Sequence, residues 1–171
     1  MEIMKSILER RSIRKFTSED ISQDKIEEIL KAGMYAPSAG NQRPWEFIVL
    51  KSSEMKLAVC ESLPHGKMLA DSAFGIVVCA DLSKEKFPGY WVQDCSAAME
   101  NMLLASHSMG IGSVWLGIHP VDERKTAVSR TLGLPENVVP LGVAAFGLPA
   151  QIVGHPERFD RSLVHEEKWQ K

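Results

Sequence analysis

The sequence predicts a single α+β domain, and three observations carry that prediction. Helix-period and strand-like segments are mixed along 171 residues without the regular strand–helix–strand rhythm of a doubly wound sheet. A chain of this length fits one domain and can bury about 70% of its unfolded surface. No repeat, low-complexity tract or linker divides it, so residues 1–171 read as one unit, with a hydrophobic fraction of 44% that is ordinary for a globular protein.

Each element follows from local pattern. Residues 3–11 read as a first helix with Ile3, Met4, Ile7 and Leu8 in a stripe. "SQDKIEEILKAGMYAPS" is a second, with Ser22 as N-cap and Ile26, Ile29, Leu30, Gly33 and Met34 at helical spacing. Glu27 and Lys31 stand one turn apart on its wet face, and Pro37 ends it by disfavouring helix at Ala36. "WEFIVL" (45–50) is a short strand, followed by a helix over about 53–62 and a Val- and Ile-rich strand, "AFGIVVCADL" (73–82).

The longest helix runs from about 92 to 109. Cys95, Met99, Met102, Leu103 and Met109 line one side, and Ala97, Ala98, Leu104 and Ala105 leave little polar surface. Such a helix is central in the core or pressed against a partner. "GIGSVWLGIHP" reads as a strand entering a loop, 122–132 as a helix, and "VVPLGVAAFG" as a strand. The tail "QIVGHPERFDRSLVHEEKWQK" has no period, but Arg158, Phe159, Arg161 and Trp169 are more anchors than a disordered tail carries. It is expected to lie against something.

Composition excludes several classes. A net charge of -2 and a pI near 6.2 rule out a chain that coats nucleic acid, so any anion site is local. The three cysteines, Cys60, Cys79 and Cys95, form no Cys-x-x-Cys pair and point to packed thiols in a reducing cytoplasm. The first residues are too charged for a signal peptide, and no apolar run reaches membrane-spanning length. "GIGSVW" begins like a dinucleotide fingerprint, but Trp115 takes the third glycine's place and a helix precedes it. There is no phosphate loop, no metal-ligating histidine pair and no G-x-S-x-G elbow.

Two stretches carry chemistry. "ERRSIRKF" sets Arg10, Arg11, Arg14 and Lys15 around Ser12. One reading is the solvated end of a helix, with arginines answering its dipole. The other is a shell of charged forks and a hydroxyl around a phosphate monoester. "YAPSAGNQRPWEF" is either an ordinary turn-rich loop or a frame for a polar heterocycle, since Pro37, Gly40 and Pro44 shape its path while Ser38, Asn41 and Gln42 offer hydrogen-bond groups.

With "RRSIRKF", "APSAGNQRPWEFIVL", "GIGSVWLGIHP" and "RFDRSLVH" in this order over essentially its whole length, the chain resembles the FMN-dependent nitroreductase family. The resemblance implies an α+β nitroreductase-like fold, a central, mostly antiparallel sheet flanked by helices, in an intertwined homodimer with FMN at the subunit interface. It implies that Arg10, Arg11, Ser12 and Arg14 contact the phosphate, ribityl chain and pyrimidine side of FMN. Pro37, Ser38 and Asn41 of the other subunit would border the isoalloxazine ring. Trp115, Leu116 and Gly117 would lie along the ring near N5, and Arg158 would return to the phosphate. Lys67 matches a family lysine near the ribityl and pyrimidine end, or is a solvated loop lysine. The chain lacks the longer insertions of larger members, has Arg43 before its Pro-Trp, and has Pro156 where relatives often carry a second basic residue.

The implied function is reduction of nitroaromatics, quinones or similar electron-poor small molecules by NADH or NADPH through FMN, with no catalytic side chain and no metal. A flavin-binding module without turnover, or another flavin-dependent reduction on the same scaffold, would use the same contacts.

Overall fold

Phe74 to Ala80 is a continuous apolar run, and a strand buried on both faces is what such a run makes. In the computed structural model, which describes residues 3–169, it becomes the heart of a four-stranded antiparallel sheet. The strands are β1 (Trp45–Leu50), β2 (Phe74–Asp81), β3 (Gly112–Gly117) and β4 (Val138–Gly147). Their spatial order is β1-β2-β4-β3, so β1 and β3 are the two edges. The first two and last two residues of the expected 1–171 domain lie outside the described residues.

Helices cover both faces. On one, α2 (Gln23–Met34) and α5 (Trp91–Ser108) bury Ile26, Ile29, Cys95, Met99 and Met102 against Ile76, Val78, Ala144 and Phe146. The rings of Phe74 and Phe146 stack there with centroids 4.9 Å apart. On the other face, α3 (Ser53–Glu61), the single turn α4 (Lys67–Ala70) and α6 (Asp122–Leu132) bury Val59, Leu69 and Val128 against Val77 and Val143. The buried Lys56 ammonium donates to the Ser72 carbonyl, tying α3 to the chain after α4.

The antiparallel sheet flanked by helices is as the resemblance implies, and every element read from the sequence is present. Several details differ. Ser22 begins α2 with its backbone carbonyl, which accepts from Ile26 N at 3.2 Å, while its hydroxyl makes no cap bond. Glu27 takes the amide of Gln23 rather than Lys31. α4, four residues long, has no readable period.

The ends differ most. Helix α1 (Ile3–Glu9) leans on α5 and buries only Ser6, leaving Ile3, Met4, Ile7 and Leu8 exposed. In the tail, Ile152, Phe159, Leu163 and Trp169 are exposed as well, and among the described residues the anchors Trp169 and Arg161 meet only other tail residues, His165 and Glu166. The three cysteines are free and buried, as packed thiols should be, and burial pushes the Cys79 thiol up to about 12.

Candidate functional site

The cationic stretch divides into arms with different tasks. The Arg10 guanidinium pairs with Glu100 of α5 at 3.3 Å. Arg11 donates from Nη1 to the Leu8 and Arg10 carbonyls at 2.8 and 2.7 Å, and from Nε to the Gly154 carbonyl at 3.1 Å. It therefore caps the open carbonyls at the end of α1 and ties the tail to them. Beyond it the chain becomes a strap along the β3 edge. Ser12 bridges Ser113, Ile13 N donates to the Ser113 carbonyl at 2.9 Å, and Phe16 bridges Pro149. The strap carries Arg14 into solvent, where its guanidinium makes no hydrogen bond or ion pair among the described residues.

Arg14 faces a cavity of about 240 Å³ built on β3, whose wall includes Trp115, Leu116, Gly117, Met68 and Arg124. The floor is shaped by glycine. A Cβ on Gly142 of the neighbouring strand would stand 2.4 Å from the Trp115 Nε1, so the indole can lie over that strand only because Gly142 has none. Gly117 is exposed, and a Cβ there would meet nothing within 4 Å. The cavity is open at Gly117, and the Arg14 guanidinium on its wall is unpaired among the described residues. An unpaired guanidinium there fits a planar ring system that gains negative charge on reduction, such as the flavin that the resemblance implies.

Four of the expected residues thus share one cavity: Arg14, Trp115, Leu116 and Gly117. Lys67 is exposed on α4 immediately before the lining residue Met68, with no ion pair among the described residues. The lining residues that escaped the sequence reading include His65, Met68 and Arg124. His65 and Met68 flank the "HGKM" lysine that was singled out, but Arg124, in "DERK", reads as one charge on a wet helix.

The other expected half of the site stands elsewhere. The loop of Pro37, Ser38 and Asn41 leads into β1, the opposite edge of the sheet from β3. Three strand spacings separate those edges, roughly 14 Å at about 4.8 Å each. One chain does not bring this loop to Trp115. A depression of about 590 Å³ lies beside this loop rather than the cationic strap, along Arg43, Trp45 and Lys84, and the Lys84 ammonium is paired there with Glu46.

The loop itself is held rigidly. Asp94, buried in the first turn of α5, accepts from Ala39 N at 2.9 Å and from the Gln42 amide at 2.6 Å. The Gln42 carbonyl oxygen in turn accepts from Lys86 N at 2.8 Å and Phe87 N at 3.2 Å. Ser38 Oγ accepts from Arg43 N at 3.0 Å. These bonds hold Asn41 at φ 55° and Arg43 at φ 46°, left-handed conformations that Asn tolerates and Arg resists. Asn41 is left exposed at the turn, and Gln42, which offered a hydrogen-bond group from sequence, is a strut.

Two histidines have buried, unpartnered nitrogens, Nε2 of His107 and Nδ1 of His119, and burial holds both imidazoles below their ordinary pKa. Arg158 is exposed in the tail beyond Gly154, and only its backbone is engaged, donating to the Glu157 carboxylate at 2.9 Å. Among the described residues no group of His, Cys, Asp or Glu could hold a metal ion, and no helix is long and apolar enough to cross a membrane.

Comparison with known proteins gives concordant matches. The model of the nitroreductase family matches residues 7–67 and 57–148. A relative from Archaeoglobus fulgidus, named "Putative NADH dehydrogenase/NAD(P)H nitroreductase", is 48% identical over 172 residues, covering 98% of this chain and 99% of its own. One of the same name from Methanothermobacter thermautotrophicus is 44% identical over 169 residues, covering 99% and 88%. A protein from Desulfovibrio desulfuricans, described as "a putative nitroreductase in complex with fmn", superposes with a TM-score of 0.85 at 28% identity, the match covering 99% of each chain.

Proposed function

The chain belongs to the nitroreductase family, and on that premise we propose that it is an FMN-dependent NAD(P)H oxidoreductase that reduces nitroaromatics, quinones or similar electron-poor small molecules. The observation that carries the reading is the unpaired Arg14 guanidinium at the rim of the open Trp115–Gly117 floor. When bound, FMN would supply the redox chemistry, carrying electrons from NADH or NADPH to the acceptor in a ping-pong cycle.

The protein binds, orients and neutralises charge. Trp115, Leu116 and Gly117 support the ring, and the absence of a side chain at Gly117 leaves room for donor and acceptor in turn. A fixed cation, Arg14 or Lys67, sets positive charge where reduction builds negative charge, a preorganised electrostatic contribution. Arg10, Ser12 and Arg158 hold the phosphate, with Arg11 mainly fixing the shape of that end. Arg10 keeps its Nη groups for this while Nε stays on Glu100.

Pro37, Ser38 and Asn41 border the ring from a second copy of the chain. The separation of the two sheet edges supports that division, because a loop at the β1 edge reaches a ring at a β3 edge only across a dimer. The exposed apolar side chains of α1 and of the tail support it too, since they are the surface such a dimer would cover. We read the chain as one domain, and its three free, buried thiols fit a reducing cytoplasm.

The test is the visible spectrum of the FMN-loaded protein mixed with NADH or NADPH under nitrogen. Bleaching of the flavin band is expected, followed by recovery on adding a quinone or nitroaromatic. A spectrum that neither donor changes would make the protein a flavin-binding module without turnover. Arg14→Ala is expected to weaken FMN retention and slow bleaching by roughly tenfold or more, the loss of one charge-assisted contact. Unchanged retention and rate would remove Arg14 from the site.

A further inference from the structure

Arg124 is a second guanidinium in the same cavity, and its placement is unfavourable for stability alone. It sits in the first turn of α6, where the helix dipole disfavours a cation. The neighbouring charges do not explain it. Lys125 is already matched by Asp122 at 2.6 Å, and Glu123, one position away, points off a different side of the helix. Arg124 has no acidic partner among the described residues. Its one hydrogen bond among the described residues is with backbone, Nη1 donating to the Gly117 carbonyl at 3.1 Å, which leaves its remaining N–H groups unengaged on the cavity wall. Among the described residues no Asp or Glu lines the cavity, so neither Arg14 nor Arg124 has an acidic partner on its wall.

With Arg14 committed to the flavin, we propose that Arg124 selects substrates that carry an oxyanion, a carboxylate or a phosphate, next to the ring that exchanges electrons with FMN. The proposal rests on the reading of this cavity as the flavin site. An anionic group beside the reacting ring would meet a half-buried, pre-positioned fork, and low-dielectric walls would focus the field of both arginines on it. Uncharged acceptors of the same size would gain none of this.

The experiment uses the FMN-loaded protein and Arg124→Met, with Arg124→Lys as the conservative variant. Acceptors are compared as a pair, 4-nitrobenzoate against 4-nitrobenzyl alcohol, and donors as a pair, NADH against the uncharged N-benzyl-1,4-dihydronicotinamide. Arg124→Met should lower kcat/KM for the anionic member of at least one pair by roughly 10- to 100-fold and leave the neutral member within about twofold, and Arg124→Lys should restore part of the loss. Loss confined to 4-nitrobenzoate identifies a carboxylate as the natural oxyanion, and loss confined to NADH identifies the dinucleotide phosphates. Equal losses for charged and neutral members would mean that Arg124 only props the end of β3, and no loss would remove it from the site; either overturns the proposal. Calorimetric titration with benzoate and benzamide gives a readout independent of turnover, the benzoate preference falling by a similar factor in Arg124→Met. A wild-type protein that is never bleached would therefore sink the redox reading while this titration still decides the role of Arg124.

Discussion

The strands β2 and β4 and the two ends of the chain treat the same kind of side chain in opposite ways. From Phe74 to Ala80 and from Pro140 to Gly147 every residue is buried, including both stacked rings. In α1 and the tail, Ile3 is 72% exposed, Leu8 62%, Phe159 75% and Trp169 80%. Hydrophobicity alone does not separate the groups, because the stripe of α1 is as apolar as that of a core helix. What differs is whether the chain supplies its own second surface. The centre does, through α2 and α5 on one face and α3 and α6 on the other. The ends do not, which is the expected condition of surfaces whose counterpart is another copy of the molecule.

The sharpest way to break this contrast is to disturb each side by one residue. Phe146→Ala removes a fully buried ring stacked on Phe74 and should cost about 3–5 kcal/mol, read as a lower urea midpoint at fixed protein concentration. A loss under about 1 kcal/mol would mean that the centre is not where stability resides. Leu8→Asp should do the reverse. As an exposed residue it should change the stability of the isolated chain by less than about 0.5 kcal/mol, yet place a charge in the surface that the proposed second copy would cover. Sedimentation velocity should then find single copies, where the wild type is expected to sediment as a dimer. A variant that sediments like the wild type would leave the apolar stripe without a purpose.

What could be read from the sequence follows the same line. β2, β4, α2 and α5 were legible because run length and period record burial within the chain. The apolar stripe of α1 was legible too, but its direction was not, because period gives a face without saying what that face meets. Trp115, Leu116, Gly117 and Arg14 were found through their motifs, and the structure brings them to one cavity. That Pro37, Ser38 and Asn41 stand at the far edge depends on the order β1-β2-β4-β3, a long-range pairing that no local pattern encodes. Arg11 shows the limit on the charged side. Of the two readings open for the cluster, helix capping describes this residue and an unpaired cation describes Arg14, three positions on. Arg124 went unread because a charged residue in "DERK" looks like any solvated helix face until its contact with Gly117 is seen.

The smallest expected effect lies at the joint between these regions, where α5 begins and the chain leaves β3. There the Trp91 and His119 rings meet edge to face, centroids 4.8 Å apart, and His119 Nδ1 is shut away without a partner. Burial lowers the pKa of this imidazole below 6.5, and the Lys125 ammonium pushes the same way while Asp122 opposes it. The unfolded chain takes up a proton near the ordinary value and the folded chain resists doing so. Between the two values the unfolded state therefore binds more protons, and stability rises with pH. The contribution is complete above about 6.5 and is lost as the pH falls through the folded value. Urea midpoints measured from about pH 7.5 down to about pH 5 should decline in the wild type and decline less in His119→Phe, which keeps a ring against Trp91 and removes the titration. His107, lowered in the same direction, leaves part of the slope in place, so the variant should flatten the curve without levelling it. Identical slopes would mean that His119 gains its proton as freely in the folded protein as in the unfolded chain, and that the joint is open to water rather than packed like the centre.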